Sequence, residues 1–127
     1  MMLGTVSTPM APSAIGPYSQ AKVAGGFVFV SGQLPMDPET GKMPETIEKQ
    51  TAQSMKNVLA IVKAAGGTEK SIVRCGIFVR DMGCFGNINT EYAKFFEGEP
   101  PARFVVEVSA LPKGASIEIE AIASIEE

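Results

Sequence analysis

The stretch Ile117-Glu-Ile-Glu-Ala-Ile-Ala-Ser-Ile125 decides the fold. Side chains of a strand point alternately to its two faces. Ile117, Ile119, Ala121, Ala123 and Ile125 therefore share one apolar face, and Glu118, Glu120 and Ile122 share the other. In the preceding run, Ala102 to Val108, Arg103, Val105 and Glu107 share a face as well. A sheet face that mixes apolar and charged groups points to packing against another subunit.

Ala110-Leu-Pro-Lys-Gly114 joins the two strands, Ala102 to Val108 and Ser116 to Ile125. Before them, Phe85, Ile88, Tyr92, Phe95 and Phe96 recur at helical spacing, and Gly98 with Pro100-Pro101 ends that helix. Ile72 to Val79 reads as a short central strand. A longer helix starts at Thr46 as N-cap and stops at Gly66-Gly67. Its apolar or small stripe is Ile47, Thr51, Met55, Val58, Leu59, Val62 and Ala65, with Ile61 off it. Tyr18 to Gln33 reads as a hairpin turning at Gly25-Gly26, followed by a turn-rich loop, Pro35 to Gly41. The resulting order, ββαβαββ, predicts an α+β fold: one mixed sheet with both helices on one face.

At 127 residues the chain reads as a single domain over 1–127. A domain of that size buries roughly 70% of its unfolded surface, enough for one core. Its net charge of −3 argues against a polyanionic partner such as nucleic acid, which wants a Lys/Arg surplus. Two cysteines, Cys75 and Cys84, form no disulfide pattern and read as reduced thiols. The N-terminal stretch lacks signal- or transit-peptide features, and no run of 18 apolar residues occurs. A cytoplasmic protein without a membrane segment is the expectation. The chain also contains no histidine, which excludes His-based nucleophile systems, His-ligated zinc deaminases and HExxH metalloproteases. No GxGxxG or Walker motif is present.

Chemistry then falls to other groups. Arg103 is delivered to a strand start by rigid Pro100-Pro-Ala, and a guanidinium forks onto a carboxylate. Without further context an ordinary surface arginine is the better reading of it. Glu120 sits mid-strand and could hold a water for attack on an electrophilic carbon, or pair across the sheet. Tyr18 and Asn89 are polar residues within structured segments, and Gly32 allows backbone to approach a ligand closely.

Six stretches together resemble the RidA (YjgF) family. They are Ile15-Gly-Pro-Tyr-Ser-Gln20, Phe29-Val-Ser-Gly-Gln33, Asp37-Pro-Glu-Thr-Gly41, Asn89-Thr-Glu-Tyr92, Pro100-Pro-Ala-Arg103 and Ile117-Glu-Ile-Glu-Ala-Ile122. The resemblance runs in order from about Ala14 to Ile122. It implies a chorismate-mutase-like fold and a homotrimer with sites in the clefts between subunits. It also implies hydrolysis of 2-iminopropanoate and 2-iminobutanoate, products of pyridoxal-phosphate enzymes, without metal or cofactor. By position, Arg103 matches the family's carboxylate-binding arginine, and Glu120 the acidic residue that holds the hydrolytic water. Tyr18 and Asn89 match the site tyrosine and asparagine, and Gly32 a backbone donor, with backbone near Val105 assisting. Two positions depart from the family's habit: Val105 replaces a frequent cysteine, and Phe104 a small residue. The competing readings are an endoribonuclease, and a non-enzymatic keto-acid-binding or chaperone-like trimer.

Overall fold

Burial follows the alternation. Ile117, Ile119, Ala121 and Ala123 are all buried, while the residues between them remain partly exposed. The structure, a computed structural model, describes residues 3–125, so the ends of the expected domain, 1–2 and 126–127, lie outside the described residues. Its strands are β1 (Gly4–Val6), β2 (Ala21–Ala24), β3 (Phe27–Gln33), β4 (Ile72–Val79), β5 (Ala102–Glu107) and β6 (Ile117–Ser124). The helices are α1 (Ile47–Ala64) and α2 (Phe85–Ala93).

The strands form one sheet in the order β1-β2-β3-β6-β4-β5. Neighbours are antiparallel except β4 and β5, which the α2 crossover makes parallel. The apolar last strand therefore lies in the middle of the sheet, between β3 and β4. On its inner side Ile117, Ile119 and Ala121 pair with Val79, Ile77 and Cys75 of β4, all buried. Met55, Val58, Ile61 and Val62 of α1, with Ile88 and Tyr92 of α2, complete this core. The α+β architecture with both helices on one face is the one the sequence predicted.

Three local expectations change. A sixth strand, β1, precedes the expected order; it is three residues long, begins at Gly4 and pairs with β2 at one end of the strand order. Ile61 is fully buried rather than off the stripe. It follows Val58 by three residues, and the buried face of α1 is wide enough to include polar Gln50, Ser54 and Asn57 as well. Asn57 uses its burial: its amide donates to the Leu34 and Met36 carbonyls at 3.0 and 2.9 Å, tying the loop after β3 to the helix. Third, α2 stops at Ala93, so Phe95 and Phe96 pack from the turns beyond it.

The two glycines of the β2–β3 turn have φ of 58° and 83°, the left-handed conformations a two-residue hairpin requires. Thr46 caps α1, its side chain accepting from the Lys49 amide.

Among the described residues, the other face of the sheet carries no helix. Phe27, Phe29 and Val106 are each at least 40% exposed there, with Phe78, Phe104 and Ile122 half-buried beside them. This surface is contiguous and apolar, and Glu118, Glu120 and Arg74 stand within it.

Candidate functional site: two half-sites on opposite faces

The pairing register separates two rows that the sequence reading joined in one mixed face. Arg103 pairs with buried Cys75 and Val105 with buried Ile77, so both lie on the helix side. Glu118 pairs with Phe78 and Glu120 with Gly76, on the open side. Within one chain, Arg103 and the glutamates point away from each other.

The first half-site is built by α2 under the edge strand β5. Phe85, Asn89 and Tyr92 follow at spacings of four and three, which puts them on one helix face. Arg103 reaches this face: its Nη1 donates to Asn89 Oδ1 at 2.8 Å. Its guanidinium carbon lies 5.1 Å from the Tyr92 ring centre and 5.5 Å from that of Phe85, within cation–π range. Asn89 is thus a partly buried acceptor. One arm of the fork is committed, and the rest borders a pocket of about 460 Å³. Tyr92, Ala93, Phe96, Pro100 and Pro101 line it. Cys75 lies beneath, and burial raises its thiol above the usual range. Burial likewise raises the Tyr92 phenol, so both groups stay neutral next to the arginine. Cys84 is free and partly exposed.

The second half-site surrounds a β-bulge. The β3–β6 register slips between Val30 and Gln33, leaving Ser31 and Gly32 without a paired residue on β6. Glu118 folds over this gap. A Cβ at position 32 would stand 2.7 Å from its Oε2, so only glycine admits the carboxylate. Tyr18, Gln20, Gln33 and Leu34 join Glu118 and Gly32 around a space of about 40 Å³, enough to admit a water molecule. Burial, and then the charge of Glu120, push the Glu118 carboxyl above its ordinary pKa. Tyr18 is half-exposed, its hydroxyl accepting a long bond from the Ile15 amide at 3.4 Å.

Gln20 fixes the wall beside Tyr18. Its buried amide oxygen accepts from Thr8 N at 2.7 Å, and its nitrogen donates to the Thr8 and Pro12 carbonyls at 3.1 and 2.8 Å. Ser31 adds two bonds, from its hydroxyl to the Ser19 carbonyl and from its amide to the Gln20 carbonyl.

Of the residues singled out in the sequence, Arg103 and Asn89 meet in the first half-site, and Tyr18 and Gly32 in the second. Val105 packs against the core from the partly exposed edge strand. Glu120 is in neither; its carboxylate lies 3.5 Å from Arg74. Glu118 is the glutamate that stands beside Tyr18 and Gly32. Alternation put both glutamates on one face, and the bulge at Gly32 brings Glu118 beside Tyr18. Among the described residues, no group of three His, Cys, Asp or Glu side chains is arranged to hold a metal ion, and no helix is long and apolar enough to cross a membrane.

A family model described as endoribonuclease L-PSP matches residues 8–125. A 2-iminobutanoate/2-iminopropanoate deaminase of Salmonella typhimurium is 47% identical over 125 residues, covering 96% of this chain and 98% of the relative. The crystal structure of the YjgF gene product of E. coli superposes with a TM-score of 0.94 at 44% identity, covering 97% of this chain and 99% of that one. E. coli TdcF with bound serine gives 0.93 at 42% identity, over 95% and 98% of the two chains.

Proposed function

The chain belongs to the endoribonuclease L-PSP family, which includes RidA and YjgF, and from that premise we propose that it hydrolyses small 2-imino acids to 2-keto acids and ammonia. The observation that carries this reading is the mounting of Arg103. Asn89 and two aromatic rings hold a guanidinium with part of its fork free at the mouth of a pocket. Such a fork suits a carboxylate. A relative named for imine deamination and a neighbour that holds an amino acid agree with a ligand of this class.

Glu118 supplies the second requirement, a water facing C2. Its carboxylate takes a proton as the water oxygen bonds to C2, and the C=N π pair moves onto nitrogen, which receives that proton back from Glu118 to give the neutral carbinolamine. The carbinolamine then collapses: Glu118 takes the hydroxyl proton as C=O forms, the C–N bond breaks, and the departing nitrogen takes a proton from Glu118, directly or through the Tyr18 hydroxyl, and leaves as ammonia. Backbone at Gly32 and Val105 assists in orienting the acid. We thus assign to Glu118 the water that the resemblance gave to Glu120. An imine carbon is already electrophilic, so a ten- to thousandfold gain, roughly 1.4 to 4 kcal/mol, is all that orientation has to provide. The reaction calls for no cofactor.

The half-sites need a second copy to meet. The bare apolar sheet face and the edge strand β5 support a homotrimer in which Arg103 of one copy approaches the Glu118 pocket of the next. Light scattering should give three times the 13.4 kDa chain mass; a monomer would remove the composite site. For activity, a threonine dehydratase generates the imine while semicarbazide intercepts it. Added protein should raise 2-ketobutyrate at the expense of the semicarbazone, and no change in that partition rules the deaminase out.

The family model's description favours one other reading, ribonuclease. RNA cleavage that survives repeated purification and disappears in Arg103→Ala would support it over imine hydrolysis.

A further inference from the structure

The open face holds a cluster that the proposed reaction leaves unused. Gly76 on β4 lies between Phe104 on β5 and Glu120 on β6. A Cβ at position 76 would stand 2.3 Å from Phe104 Cζ and 2.8 Å from Glu120 Oε1. Ring and carboxylate therefore share the volume that a side chain would fill. Arg74, two residues earlier on the same face, lays its guanidinium carbon 5.4 Å from the Phe104 ring centre. Its Nη2 stands 3.5 Å from Glu120 Oε1. Phe78 braces the Phe104 ring edge-on, with centres 5.5 Å apart and planes at 80°. Arg74 Nε is buried without a hydrogen-bond partner among the described residues. Stacking rather than hydrogen bonding thus seats this arginine, and Glu120 is the carboxylate it meets.

We propose that Arg74 is a positioning residue: seated on Phe104 in the space Gly76 leaves, it holds Glu120 and screens its charge from Glu118. Through Glu118 it then governs the pH at which the water-holding carboxylate becomes available. This rests on the reading of Glu118 given above. Glu120 is two residues from Glu118 on the same face, and a like charge there opposes ionisation. Around Glu118, β3 contributes uncharged Ser31, Gly32 and Gln33, and β4 contributes Phe78 with Arg74 acting through Glu120. Tyr18 is the other titratable group in its pocket. In a trimer Arg103 of the neighbouring copy would add a positive charge, common to every variant below.

The signs follow. Arg74→Met exposes Glu118 to the full charge of Glu120, so Glu118 should lose its proton at higher pH. Glu120→Gln should move it lower. Phe104→Ser unseats the arginine and should act as a weaker Arg74→Met. One partly screened charge at this range corresponds to a shift of roughly 0.5 to 1 pH unit.

The test is a carbon-13 titration of the Glu118 carboxyl in the full chain, alongside the pH profile of kcat. Opposite shifts in Arg74→Met and Glu120→Gln, with Arg74→Lys in between, support the proposal. An unmoved titration in both variants overturns it. A moved titration with an unmoved kcat profile supports the Arg74 clamp and instead overturns Glu118 as the base. If Arg74→Met does not fold, Arg74→Lys and Phe104→Ser carry the same comparison: shifts up in both support the clamp, and none in either refutes it.

Discussion

Arg103→Lys should lower kcat/KM for a small 2-imino acid by roughly a hundred- to thousandfold, about 3 to 4 kcal/mol of transition-state binding. The charge survives this change, so a purely electrostatic role would leave most of the activity. What the ammonium cannot reproduce is shape. Guanidinium is flat, and in this protein it uses that flatness twice: its face lies within range of the Phe85 and Tyr92 rings, and one arm in its plane binds Asn89 while the remainder meets the ligand. Lysine offers a single point charge on a free stem, unfixed by either ring. Folding should be spared because Arg103 is only half-buried on the edge strand. Steady-state kinetics with freshly generated imine, paired with a thermal melt, separate the two. Near-normal turnover in a well-folded Arg103→Lys protein would end the case for a bidentate anchor.

Glu118→Gln should reduce kcat by roughly a hundred- to ten-thousandfold while leaving affinity for a 2-keto acid close to normal, since a general base acts on water rather than on the carboxylate. The same change should raise thermal stability at neutral pH. Burial and the neighbouring Glu120 raise the folded pKa of Glu118 above its unfolded value. Between the two values the folded protein binds more protons than the unfolded chain, so stability falls as pH rises through that window and does not return above it. Glutamine carries no such cost. Wild-type activity has the opposite slope, declining on acidification at a pH above the ordinary carboxylate range, because the base is then protonated. Calorimetry and a binding titration with 2-ketobutyrate check both signs. A Glu118→Gln protein that turns over normally, or melts lower at pH 7 than the wild type, contradicts the assignment.

Much of this was legible in the sequence, and the reason differs by element. Period-two alternation in β6 and the helical stripe of α1 are repeated signals, and they carried the α+β fold. β1 was missed because three residues cannot establish a period and Gly4 weakens what there is. The C-terminal end of α2 was overextended because Phe95 and Phe96 are buried for tertiary reasons outside the helix. In the site, Arg103, Asn89, Tyr18 and Gly32 stand out through motif resemblance. The choice between Glu118 and Glu120 turns on a single slipped register at Ser31-Gly32, which no local residue preference encodes. Arg74 escaped notice altogether: its role depends on Gly76 and Phe104, on different strands, occupying one volume.

The division of the site between two sides of one sheet has a genetic reading. If each working centre takes its arginine from one copy and its glutamate from another, a defect in either half belongs to a different partner. An Arg103 variant and a Glu118 variant, each inactive alone, should then regain activity when unfolded and reassembled together, because some clefts in the mixed oligomers inherit both intact halves. Two damaged alleles would complement each other within one cell, whereas a chain damaged in both halves would spoil two centres in every trimer it enters.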